Sequence, residues 1–178
     1  AGQGVSTYDL MDTITDDMVK VNLVAIAAVL IVLILTMRQI KTPIVLVLAI
    51  ETAIWINLSI PYLQNTPLFY IAYLIISSVQ LGATVDYAIL FSDRYRECRR
   101  EMDKKESIIA TISQTSVSIL TSGITMIAVG FLLGIISTHG LLSQLGYLLG
   151  KGTICSVLTV FFVLPGLLYL TDRKKTSF

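Results

Sequence analysis

Gln80-Leu-Gly-Ala-Thr-Val-Asp-Tyr-Ala-Ile-Leu-Phe-Ser-Asp-Arg-Tyr-Arg96 decides how the rest of the chain is read. It closes a long apolar run from Leu68 to Phe91 that holds one carboxylate, Asp86, beside Tyr87. An acid inside a run long enough to cross a bilayer is costly, roughly 2.5–3.5 kcal/mol at a helix centre on insertion scales, and marks a candidate functional site. Immediately afterwards the chain turns basic, with Arg94, Arg96, Arg99 and Arg100. A buried acid a few turns from a membrane boundary is the organising feature, and the other segments read as its scaffold.

Composition agrees. Of 178 residues, 54% are apolar and only 14% are charged, against about 25% charged in soluble domains. The net charge of +1 gives no reason to expect a nucleic-acid partner, since the charges are segregated by segment. The chain starts at Ala1 with neither an initiator Met nor a short signal-peptide core, so a piece of a longer protein is expected. Two lone cysteines, Cys98 in the basic segment and Cys155 inside a span, make no metal site and are expected to stay unpaired.

Working outward, the expected fold is all-α, a membrane bundle of five transmembrane helices. Residues 1–17 are polar, with Asp9, Asp12, Asp16 and Asp17, and read as the end of an extracytoplasmic domain. Thr15-Asp16-Asp17 is placed to cap a helix starting near Met18. The five-helix domain then covers residues 18–172, with spans near 19–37, 43–63, 68–91, 108–136 and 152–170. The first, at 1.5 Å per residue, is about 28 Å long and matches the hydrocarbon core. Pro43 suits a first helical turn, and the prolines of Pro61-Tyr-Leu-Gln-Asn-Thr-Pro67 mark helix ends. Residues 92–107 form a cytoplasmic loop of alternating charge, expected to be helical at the headgroups. Residues 141–150 read as an interfacial approach to the last span, and 173–178 as a cytoplasmic tail. Lys and Arg cluster at Arg38 and Lys41, in 92–107 and at Arg173–Lys175, while the intervening turns have none. That alternation places the N-terminus outside and the C-terminus in the cytoplasm of a multi-pass cell-membrane protein.

Only Glu51 and Asp86 are acids inside spans, at depths of roughly 9–12 Å from the cytoplasmic side by helical rise. Thr111, Thr115, Ser118, Ser122 and Thr125 recur at three- and four-residue spacing, so one face of the fourth span is hydroxyl-rich. Similar depth permits Glu51, Thr115, Ser118, Ser122 and Thr125 to line one polar pathway with Asp86. Desolvation disfavours the charged form of such a carboxyl, which suits it to take a proton from one side and release it to the other. The same groups also have structural readings: Glu51 as a protonated, hydrogen-bonded group, and the hydroxyls as helix-to-helix bonds. His139 lies in a turn and reads as an exposed loop residue.

Gly82-Ala-Thr-Val-Asp-Tyr87 followed by Arg94-Tyr-Arg-Glu97 resembles the Gly-x-x-Val-Asp-Tyr…Arg-Tyr-Arg-Glu signature of the MMPL transporters within the RND (resistance–nodulation–division) superfamily. Thr121–Phe131 resembles that family's fifth helix, and Leu145–Gly152 with Leu164-Pro-Gly-Leu-Leu168 its sixth. The resemblance implies helices two to six of one repeat, half of an RND-type transmembrane domain. The first helix, the extracytoplasmic domains and the whole other repeat would lie outside this chain; between the two repeats, the basic ending leans toward reading this chain as the second. It also implies that Asp86 and Tyr87 form one half of a proton relay facing an equivalent pair. On that basis the expected function is the membrane part of a proton-motive-force-driven exporter of lipids or other hydrophobic molecules. Protons are the coupling ion, and no cofactor or metal is expected. The expected partners are the bilayer, a hydrophobic substrate and the missing repeat. The alternative is a sterol-sensing-type lipid-binding regulatory module without transport. An enzyme is not expected: intramembrane aspartyl proteolysis needs two aspartates at depth, serine proteolysis needs a Ser–His arrangement, and no phosphate-binding loop is present.

Overall fold

A computed structural model describes residues 3–37 and 40–172, with side chains described from residue 18 onward. Arg38, the acidic side chains before Met18 and the tail 173–178 lie outside the described residues. The elements are α1 (Gln3–Met37), α2 (Lys41–Leu63), α3 (Tyr70–Glu101), α4 (Lys104–Ile136), α5 (Gly140–Leu158), a π-helical turn at Thr159–Val163, and α6 (Leu164–Thr171). The last three run on without a break, so five helices are long and apolar enough to span a membrane. The chain is an all-α bundle of five membrane-spanning helices.

Burial is inverted relative to a soluble protein. Asn57, Gln80, Thr84, Ser92 and Thr111 are buried, while Ile109, Val117, Leu35 and Leu170 face outward. In hydrocarbon nothing drives apolar side chains inward, and polar groups must find partners within the protein. Behind them a core of Leu46, Ile50, Ile54, Val85, Phe91, Ile119, Val160 and Leu164 joins α2, α3, α4 and the last span. Of the described part of α1 only Leu33 and Met37 are buried, so α1 rests on the bundle mainly by one end.

Three boundaries differ from expectation. The first helix starts at Gln3 rather than near Met18, with Thr15-Asp-Asp17 inside it, while the apolar span within that helix is Met18–Met37. The segment 92–107 is not a separate loop helix: α3 continues through it to Glu101, and only Met102 and Asp103 separate α3 from α4. The Asp103 carbonyl accepts the Ser107 N–H at 2.8 Å, the first bond of α4. Finally, 141–150 is no interfacial approach. Leu145, Gly146, Leu148 and Gly150 are buried inside the bundle, and the last span runs from Gly140 to Thr171.

The reason lies in glycine. A Cβ at Gly130 would stand 2.6 Å from the Gly150 nitrogen, and one at Gly146 would stand 2.3 Å from the Gly134 nitrogen. Here α4 and α5 touch backbone to backbone, which only small residues allow. The Ser143 hydroxyl donates to the Gly134 carbonyl at 2.6 Å, and Phe131 meets Tyr147 edge to face at 6.2 Å. On the opposite side of α5, Gln144 clasps the α2–α3 connection. It accepts from the Phe69 N–H and donates to the Pro67 carbonyl, both at 2.7 Å.

The basic ends gather at one end of the bundle. Arg96 donates to the Met37 carbonyl at 3.3 Å, and Arg99 to Asp172 at 2.6 Å, so the ends of α1, α3 and the last span meet there.

Candidate functional site

Asp86 and Tyr87 are neighbours in sequence but about 100° apart around α3, and the structure gives them different surroundings. Tyr87 is buried, and its hydroxyl lies 3.2 Å from Ser122 Oγ of α4. Asp86 is exposed on the outer face of the bundle. One turn earlier, Gly82 has no atom within 4 Å of where a Cβ would stand. A carboxyl therefore faces outward from the middle of a spanning helix, on a face this chain leaves uncovered.

On the neighbouring helix α4, Ser118, Ser122 and Thr125 are exposed and line an open groove of about 600 Å³ with Thr121, Met126 and Val129. The structure thus brings Tyr87 to Ser122, with Ser118 and Thr125 on the same face of α4. Thr115 is buried away from this groove, donating to the Thr111 carbonyl at 2.8 Å. Thr121 and Thr125 likewise donate to carbonyls four residues back, at 2.7 and 2.8 Å. Such back-bonding occupies the hydroxyl proton locally, so in the groove Ser122 is the hydroxyl that links to another helix. Glu51 is not part of this arrangement. It lines a separate groove along α2 with Leu48, Thr52, Trp55 and Ile56, and no residue lines both.

A second polar assembly was not anticipated from the sequence. Asn57 Nδ2 donates to Gln80 Oε1 at 2.8 Å and to the Leu148 carbonyl at 3.1 Å. Gln80 Nε2 donates to the Gly152 carbonyl at 3.3 Å and to Ser156 Oγ at 3.4 Å. Thr84 Oγ1 donates to the Gln80 carbonyl at 2.6 Å, which leaves the 2.6 Å contact with Ser156 Oγ as a bond from Ser156 to Thr84. Every proton in this chain ends on an acceptor inside it, and the last is a backbone carbonyl. The assembly clamps α2, α3 and α5 together and does not lead to Asp86, which lies on the far side of α3 from Thr84. A Cβ at Gly152 would come within 2.6 Å of both amide side chains, so any larger residue there would displace the two carboxamides. Asn57 Oδ1 remains buried without a partner, a cost of about 1–3 kcal/mol. The sequence signal was two carboxamides, Asn57 and Gln80, inside apolar spans; their partners come from a helix about seventy residues later, which no local pattern reveals.

Outside the spans, Tyr95 Oη and Arg99 Nε both donate to Asp172 Oδ2, at 2.9 and 2.6 Å, and Lys104 Nζ bonds the Asp172 carbonyl. Burial works to raise the Asp172 carboxyl, but Arg99, Tyr95 and Lys104 outweigh it and hold it below the usual carboxylate range. Burial, and then Asp172 itself, push the Tyr95 phenol well up. The Arg-Tyr-Arg-Glu stretch thus takes part in a polar lock at this end of the bundle, with Arg94 paired to Glu97 and Gln114.

Comparison with known proteins agrees with this architecture. The chain is 29% identical over 178 residues to "Putative membrane protein SCO0839" of Streptomyces coelicolor, covering 97% of this chain and 25% of that protein. It is 28% identical over 159 residues to "Putative membrane protein ActII-3" of the same organism, covering 86% and 22%. Over 103 residues it is 26% identical to "Probable transport protein MmpL12" of Mycobacterium tuberculosis, covering 58% and 9%. The chain therefore spans about a quarter or less of the length of these relatives. The MMPL family pattern matches residues 1–178 throughout, and with five spanning helices around the Val-Asp-Tyr stretch the chain belongs to the MMPL family.

Proposed function

We propose that this chain is the membrane part of a proton-driven exporter of lipids or other hydrophobic molecules, with Asp86 and Tyr87 as one half of its proton relay. The observation that carries the reading is Asp86 itself, an exposed carboxyl in the middle of a spanning helix. Facing lipid it would be stranded; facing a second bundle it becomes a site that can be protonated and deprotonated. The other repeat of the full-length protein covers this face, with Gly82 allowing close approach. Tyr87 and Ser122 form a hydroxyl pair one residue on around α3, which could hand a proton on once the facing bundle closes over Asp86. Protonation neutralises Asp86 and loosens its hold on the facing bundle; the resulting helix movement drives extracytoplasmic domains outside this chain. The N-terminus lies outside and the C-terminus in the cytoplasm. The family and the relative named as a transport protein support a transporter over an enzyme.

The test uses the full-length protein with Asp86→Asn, which keeps size but cannot ionise. Proton flux in inverted vesicles is expected to be lost while membrane insertion stays equal to wild type. Unchanged flux with normal insertion overturns the relay.

A further inference from the structure

Glu51 stands apart from both polar assemblies. It lies about ten residues beyond Lys41, or ~15 Å along α2, near the middle of the span. Its Oε1 is buried and has no hydrogen-bond partner. The groups that act on the carboxyl are Trp55, one turn on, which donates a hydrogen bond to it, and Tyr73 of α3, which feels its charge. Neither carries a positive charge, and no Lys, Arg or His occurs between Pro43 and Asp93. The other side of the residue opens on a groove of about 580 Å³ along α2. Its hydroxyls are already engaged: Thr52 donates to the Leu48 carbonyl and Ser59 to the Trp55 carbonyl, both at 2.7 Å. The remaining lining is apolar, with Ile56, Ile60 and Leu63 leading toward the α2–α3 connection, and Trp55 is 63% exposed.

We propose that this groove binds an amphipathic cation, its ammonium head on Glu51 and its alkyl chain along Ile56, Ile60 and Leu63. Charge complementarity selects this occupant over a neutral lipid. A hydroxyl head would offer a donor but leave the carboxyl without a countercharge in hydrocarbon, whereas an ammonium offers both. The exposed Trp55 side chain, which hydrogen-bonds the carboxyl, lines the same groove and adds apolar surface for the chain. From Glu51 to Leu63 the helix rises about 18 Å, room for a long alkyl chain. The site does not depend on the relay reading, since Asp86 lines neither wall of the groove.

The test is photolabelling of the full-length protein in neutral-lipid nanodiscs with a dodecylamine that carries a diazirine near the chain end. The expected result is saturable labelling between Trp55 and Leu63, displaced by dodecylamine but not by dodecanol or dodecyl sulfate. Glu51→Gln is expected to lower labelling about tenfold or more, the loss of one charge-assisted contact in affinity terms. Asp86→Asn, which tests the relay, should leave labelling intact. Ser59→Phe, on the exposed face, obstructs the groove without touching Glu51 and should also lower labelling, should Glu51→Gln prove poorly folded. Three results overturn the proposal: labelling of a folded Glu51→Gln protein equal to wild type; displacement by dodecanol as strong as by the amine, which marks a neutral-lipid site; or no labelling of wild type together with a Thr52→Cys thiol closed to a lipid-soluble maleimide, which marks a helix filling the groove.

Discussion

At the scale of single residues, neighbouring side chains in this bundle have unrelated duties. Tyr87 is packed toward Ser122 while Asp86 faces out, so their substitutions should separate. Tyr87→Phe removes one hydroxyl bond and is expected to slow proton flux in vesicles without abolishing it, unlike Asp86→Asn. The polar lock around Asp172 gives a pH signature. Asp172 has a lowered folded value, so its contribution is full above the usual carboxylate value of 3.8 and is lost as acid titrates it below about pH 4. Tyr95 has a raised folded value, so its contribution is full below its ordinary 10.0 and is lost at higher pH. Melting curves in detergent should show wild type ahead of Asp172→Asn between these limits, with the gap closing on the acid side. A gap that persists at acid pH would refute this assignment.

At the scale of elements, glycine positions that look alike in sequence differ in what surrounds them. Gly146→Ala drives a methyl into the α4 backbone, and overpacking of this kind costs about 1–3 kcal/mol; the expected outcome is a lower melting temperature in nanodiscs. Gly82→Ala meets nothing within 4 Å in this chain and gains up to about 1 kcal/mol of helix propensity. It should leave this bundle at least as stable, while in the full-length protein it interferes with whatever covers the Asp86 face. In the clamp of α2, α3 and α5, Gln80→Leu removes the bonds to Asn57, Gly152 and Ser156 at once and strands one buried Asn57 amide proton. A stranded buried group costs about 1–3 kcal/mol, so this variant should melt earlier than Ser156→Ala, which removes only one member. Equal melting of the two variants would mean that Gln80 is not the hub.

At the scale of the whole molecule, one end is closed and the middle is open. Arg96 on Met37, Arg99 on Asp172 and Lys104 over the Tyr169 ring at 5.5 Å tie the basic ends together. The described residues leave the Asp86 face and the α2 groove uncovered along the spans. Breaking the Arg99–Asp172 pair, whose side chains are 14% and 16% exposed, should therefore open the basic end selectively. In Arg99→Ala, faster amide exchange is expected at 167–172 and 95–101, with the α4–α5 glycine contact unchanged. The number of spans, their approximate positions and the family were legible in the sequence, because hydrophobic length and the Val-Asp-Tyr…Arg-Tyr-Arg-Glu spacing are local properties. The sequence by itself also singled out Asp86, since a carboxylate in an apolar run is expensive wherever the run folds. Only the tertiary structure decided which way each group faces: Asp86 outward and Tyr87 inward, Glu51 apart from the hydroxyl stripe, and Asn57, Gln80, Thr84 and Ser156 drawn together. Direction around a helix depends on what packs against it. In a membrane, where every face of a span is apolar, periodicity in the sequence carries little of that information.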